Sequence, residues 1–247
     1  MKQHKRLGGD DRLGYFTEWD RNSDNGCIYC GNSADTREHS PSKAFLKEPF
    51  PENLPTVPAC FKCNNGYSSD EEYVSCYLDI LKSKVINGYV INTKTFEHLK
   101  KNVGLSAILN KEIQLIDGKV YFSYNEKRLI NVLVKLARGH AAFEFDYVNF
   151  DCKPFVSYNF AFNMNSEEIQ AFKEVVEINK LPSVGARVYN RLLVMENLQK
   201  KKEFMYFFDW VSVQDNEYSY NVYLDENDFV CVKISIAEIL FCIVKLD

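Results

Sequence analysis

The chain has 247 residues, 46% of them apolar and 26% charged, with a formal net charge of −4. Such a composition is that of an ordinary globular protein of one large domain or two small ones. A net negative chain argues against a histone-like, purely electrostatic binder, so any nucleic-acid contact must come from a local patch.

Residues 1–25 are polar, contain Gly8, Gly9 and Gly14, and read as an arm ending in a frayed terminus. The basic cluster Lys2, His4, Lys5 and Arg6 offers phosphate contacts as the lesser reading. No apolar region opens the chain, so no signal peptide is expected and a reducing, cytoplasmic setting follows.

The next stretch, from Cys27 to Asn65, reads CIYCGNSADTREHSPSKAFLKEPFPENLPTVPACFKCNN. It holds two Cys-x-x-Cys pairs, Cys27/Cys30 and Cys60/Cys63, separated by 29 residues. Two residues between cysteines let both sulfurs of a pair reach one metal from a tight turn. Four thiolates suit a tetrahedral Zn²⁺ with no open position. A single pair would fit a redox motif equally well; two in one segment, with Gly31 and Asn32 turning after the first, point to a structural zinc. Buried or disulfide-bonded pairs are the bland alternative. The loop has few apolar residues, and a structural zinc supplies on the order of 10–16 kcal/mol in small peptides.

Cys60 to Asn64 is expected to form a helical turn that Gly66 ends in a left-handed conformation. Ser69 then reads as the N-cap of a helix to about Lys84, with Glu72 completing a capping box. Asp70, Glu71 and Glu72 read as partners of that helix's dipole. Residues 94–110 are expected to form one helix, and residues 113–124 a hairpin turning at Asp117-Gly118. Residues 125–144 carry the strongest helical pattern, with Leu129, Val132, Leu133, Leu136, Ala137 and Ala141 as the apolar stripe. Lys135, Arg138 and His140 are placed on or beside its polar side, solvated or partly buried, with nucleic-acid contact as the lesser use and His140 read as structural, not catalytic.

A strand at residues 155–162 precedes a helix capped by Asn165 and Glu168. Residues 186–198 fit helix or strand, and Lys200-Lys201-Lys202 an exposed turn. The last 45 residues are expected to be strands, and Tyr218, Tyr220, Val222 and Leu224 alternate with Glu217, Ser219 and Asn221 at the period of a half-buried strand. Cys76, Cys152, Cys231 and Cys242 read as small buried hydrophobes. Lys233 and Glu238 in the apolar tail argue against a membrane span. The fold class is α+β: a zinc-stapled unit in residues 1–72, then helices on an antiparallel sheet in residues 73–247.

Between the cysteine pairs stands Glu38-His39, and Asn64 directly follows Cys63. If zinc already has four thiolates, neither Glu38 nor His39 is needed to bind it. Neighbours on a strand point to opposite faces, so one could meet a metal and the other a water where the strand is twisted. Asn64 adds an oxygen ligand, brought back towards Glu38 by the zinc. The bland alternative is a surface ion pair.

Over about residues 27–66 this pattern resembles the HNH, or ββα-metal, endonuclease family. The resemblance lies in the two cysteine pairs, Glu38-His39, Asn53-Leu54 and Cys63-Asn64. It implies that Glu38 and Asn64 hold a catalytic Mg²⁺ or Mn²⁺, that His39 is the general base, and that Asn53 supports the loop. Pro41 follows the histidine sooner than usual, Asn53 lies farther from Cys60 than in the commoner pattern, and no further histidine follows. The implied reaction is hydrolysis of phosphodiester bonds, foremost in DNA. A ribonuclease and a catalytically silent zinc module binding nucleic acid or protein are the alternatives. Residues 73–247 carry no familiar motif and are expected to position substrate, a regulatory partner or a second copy of the chain.

Overall fold

The computed structural model describes residues 26–52, 54–178, 187–196 and 202–247. Its α+β architecture is arranged around one helix, α5 (Glu126–Phe145). On one side lies a five-stranded antiparallel sheet of order β5-β12-β11-β10-β9. Its strands are Phe155–Phe160, Leu240–Leu246, Val230–Ile236, Tyr218–Leu224 and Val211–Gln214 in that order. The pleat sends Val230, Val232, Ile234 and Ile236 of the central strand to one face. Their register partners Leu246, Val244, Cys242 and Leu240 join them in the main core. This is the face against α5, because Tyr218 and Tyr220 of β10 bond to side chains of that helix. On the opposite face Lys233 and Phe241 meet Phe172 from helix α6 (Ser166–Lys173).

On the other side of α5 lies the N-terminal unit. Strands β1 (Thr36–His39) and β2 (Thr56–Ala59) pair antiparallel and lead into the short helix α1 (Phe61–Gly66), giving a ββα order. Helix α2 (Ser68–Val85) follows and packs along α5. A second, smaller core joins Cys27, Ile28, Tyr29, Val57 and Ala59 to Ala142 and Phe143 of α5. The division expected after residue 72 therefore falls within a continuous helix.

Several local expectations hold. The hairpin of β3 (Ile113–Ile116) and β4 (Lys119–Phe122) turns at Asp117 and Gly118, both at positive φ. Asn165 and Glu168 form a reciprocal capping box on α6. Cys76, Cys152, Cys231 and Cys242 are buried. Residues 189–196 are a strand, β7, antiparallel to β8 (Lys202–Phe208), which in turn pairs with β6 (Val176–Ile178). Lys202 thus begins a strand; Lys200 and Lys201, like the N-terminal arm, lie outside the described residues.

Four expectations are corrected. Gly66 is not left-handed, and α2 starts at Ser68 with Tyr67 as N-cap and no side-chain cap. The chain arrives from a helix, and the Tyr67 carbonyl accepts the N–H groups of Asp70 and Glu71 at 3.0 and 2.9 Å. A side-chain acceptor on Ser69 is thus not required. Residues 93–112 form two helices, α3 (Thr93–Lys101) and α4 (Val103–Glu112). Asn102 separates them by leaving the helical region and accepting the Leu105 N–H through its side chain. Finally, Lys135 and His140 do not lie on a solvated face: they are 1% and 0% exposed. With the sheet on one side and the N-terminal unit on the other, the second half of α5 has no free polar face.

Candidate metal centre and the residues around it

The four cysteines Cys27, Cys30, Cys60 and Cys63 come together with all four sulfurs within 4.8 Å of one another. Tetrahedral zinc with Zn–S bonds near 2.3 Å needs sulfurs about 3.8 Å apart. Cys30 Sγ and Cys60 Sγ are 3.7 Å apart. The first pair sits on a tight turn, closed by Gly31 N–H donating to the Cys27 carbonyl at 2.8 Å. Gly31 adopts φ +75°, a conformation that glycine takes without steric cost. The second pair opens α1: Cys60 is its N-cap, and its sulfur accepts the Cys63 N–H at 3.4 Å. Asn32 Nδ2 donates to Cys30 Sγ at 3.3 Å, a contact that supports a thiolate. The donor set and spacing fit a structural metal such as zinc.

Next to this cluster, β1 carries the Glu-His pair, and its alternation separates the two side chains. Glu38 turns inward, 7% exposed, and its Oε1 accepts from Lys135 Nζ at 2.8 Å. Lys135 also donates to Glu71 of α2, and the Tyr67 ring lies 5.7 Å from the ammonium. Two carboxylates thus share one buried ammonium. Burial raises the Glu38 carboxyl above its ordinary range, with Lys135 pulling it back and Glu71 adding to the rise. Glu71 is more than a helix-dipole partner: it is one arm of this triad. Asp70 and Glu72 pair instead with Arg128, at 2.8 Å, and His98, at 3.4 Å.

His39 is half-buried, and its Nδ1 is buried with no hydrogen-bond partner among the described residues. An unmet buried nitrogen costs about 1–3 kcal/mol, so this atom is one that a water or a substrate would satisfy. Burial, and then the charge of Lys43, hold the ring below the ordinary histidine value. His39 is therefore a neutral imidazole at pH 7.

Asn64 projects from α1 onto β1. Its Nδ2 donates to Thr36 Oγ1 at 3.1 Å and to the Arg37 carbonyl at 3.4 Å. A carbonyl only accepts, so the amide nitrogen must face the strand. Oδ1 has no protein partner among the described residues. Asn64 thus reaches Thr36 and Arg37 of β1, next to Glu38 in the strand, while one oxygen of the Glu38 carboxylate is taken by Lys135 of α5. Asn53 lies outside the described residues.

Helix α5 fixes the strand's exit as well. His140 bonds Ser40 Oγ through Nδ1 at 3.3 Å and the Tyr218 hydroxyl through Nε2 at 2.8 Å. Gly139 permits this approach, since a Cβ there would lie 2.9 Å from Ser40 Oγ. Sequence reasoning missed the contacts of Lys135 and His140. One signal was present: Ala137, Gly139, Ala141 and Ala142 crowd small residues into the half of α5 that other elements approach closely.

No known protein family, curated protein or solved structure matches this chain. Among the described residues no helix is long and apolar enough to cross a membrane.

Proposed function

We propose that the chain is a metal-dependent endonuclease hydrolysing phosphodiester bonds, with DNA as its first substrate. One observation carries the reading: a ββα unit held by four cysteines has a neutral histidine with an unmet nitrogen at the end of β1 and an asparagine of α1 turned onto the same strand. In this reading His39 takes a proton from the attacking water. Its depressed pKa keeps it in the basic form at neutral pH. Asn64 Oδ1 and the second oxygen of Glu38 hold a divalent cation, since Lys135 takes Oε1. A bound Mg²⁺ or Mn²⁺ would offset the negative charge developing on the phosphate, and such hard cations need few protein ligands. Lys135 then fixes the Glu38 carboxylate, and Ser40, held by His140, fixes the backbone beside the base.

A second reading has its own support. The burial of Glu38 and its bond to Lys135 are what a purely structural strand would show. That favours a catalytically silent zinc module binding nucleic acid or protein.

The test is cleavage of plasmid, single-stranded DNA and RNA by the pure protein with Mg²⁺, Mn²⁺ or EDTA, beside His39→Ala. Removing a general base lowers the rate by about 10²–10⁴-fold. Metal-dependent cutting lost in the variant, with zinc content intact, is the expected result. Equal cutting by both proteins would refute His39 as the base. Absence of cutting on all three substrates would favour the silent module.

A further inference from the structure

Beyond His39 the chain turns into a 3-10 helix, Lys43–Phe45, capped by Ser42. Here two ammonium groups converge on one aromatic ring. Lys43 Nζ lies 5.3 Å and Lys94 Nζ 5.8 Å from the centroid of Phe50. Lys94, from the first turn of α3, also donates to the Lys43 carbonyl at 3.2 Å. That bond ties α3 to the segment four residues past the proposed base.

Neither ammonium has a carboxylate within ion-pair distance among the described residues. In a chain of net charge −4, two half-exposed cations are thus drawn to one ring without a directly bonded carboxylate. The quadrupole of Phe50 attracts each ammonium without neutralising its charge. An anion beside them would supply the missing counter-charge. Lysine binds phosphate as a point charge.

We infer that Lys43 and Lys94, steadied by Phe50, form a backbone phosphate site that seats the nucleic-acid strand beside His39. The inference rests on the nuclease reading and names its substrate-positioning residues. Neither lysine touches the reacting atoms. They act on binding and placement, so their loss raises KM more than it lowers kcat.

Binding is measured apart from cleavage, with full-length zinc-loaded His39→Ala protein as the parent. Its affinity for a DNA duplex and for an RNA of the same sequence is followed over a range of salt. Adding Lys43→Ala and Lys94→Ala should flatten the log–log salt dependence by about two on duplex DNA, and weaken binding about 50-fold near 0.1 M salt. A control with the same charge loss, Lys111→Ala with Lys119→Ala on exposed positions, should leave both nearly unchanged. Circular dichroism checks that each variant is folded. An unchanged slope and affinity in the Lys43/Lys94 variant, with the parent still binding, would overturn the phosphate site and leave the nuclease reading intact. An equal loss in the control would also overturn it, because the effect would then be one of overall charge. A parent that binds neither nucleic acid would remove the site and the nuclease reading together.

Discussion

Lys135→Met tests whether the buried ammonium is what allows Glu38 and Glu71 to lie side by side. Methionine keeps most of the aliphatic stem and removes the charge. The lysine side chain is 1% exposed, and the two carboxylates bonded to it are each 9% exposed. Removing one member of a buried ion pair costs about 3–5 kcal/mol, because the remaining charge is left uncompensated. For a chain of this size each kcal/mol moves Tm by about 2–4 °C. A fall of about 10 °C near pH 7.5 is therefore expected, read by thermal unfolding of the zinc-loaded protein.

The pH dependence makes the test specific. Burial already raises the Glu38 carboxyl, while Lys135 and its hydrogen bond lower it. The variant loses both lowering contributions, so the folded-state value rises further. A carboxyl with a folded value above its unfolded one favours the fold only while protonated, and that contribution is lost as pH rises through the folded value. The deficit of the variant against wild type should thus shrink as the pH falls towards the carboxylate range. The triple variant Glu38→Gln, Glu71→Gln, Lys135→Met should recover most of the loss. A single variant within about 2 °C of wild type near pH 7.5, or a deficit that is the same near pH 5, would refute the reasoning.

Two further outcomes are expected. Cys60→Ser should release the metal and unfold the N-terminal unit, because a structural zinc is worth about 10–16 kcal/mol, as much as a whole domain's net stability; retention of one zinc per chain would refute the four-sulfur assignment. His140, buried between Ser40 and Tyr218, is held down to about 3 from its ordinary 6.5. Its contribution is fully present above pH 6.5 and falls by about 1.4 kcal/mol per pH unit towards about 3. Urea midpoints across that window should decline in wild type and flatten in His140→Gln; parallel curves would show that another group titrates.

The four-cysteine cluster was legible in the sequence because Cys-x-x-Cys encodes its own geometry: a tight turn with both sulfurs on one side. The Asp117-Gly118 hairpin and the Asn165 capping box were legible for the same reason, each being decided within a few residues; the alternation of β10 holds only in part, since Asn221, expected on the polar face, is buried as well. Lys135 was not. Helical periodicity assigns a lysine outside the apolar stripe to water, and nothing local contradicts it. Its partners lie 97 and 64 positions away, so only the packing of α5 between two units brings them together. Glu71 was misjudged likewise: first-turn acids are commonly dipole partners, and its true partner is on another helix. The order of β1, β2 and α1 follows from the metal cluster, whereas the direction in which Glu38 points follows from α5.

The small core beneath the cysteines is closed by Ala142 and Phe143, which belong to a helix about eighty residues further along the chain. Metal-stapled fingers are often portable, since the ion replaces a core and the finger can be grafted onto a new host. This one is not. Cut out after α2, it would keep its four sulfurs but lose the lid over Ile28, Val57 and Ala59, the cation beside Glu38 and the histidine behind Ser40. The finger and the larger body are thus joined through one shared packed interior. A substitution on the buried side of α5 is felt at β1, and changes on the two must be tolerated together.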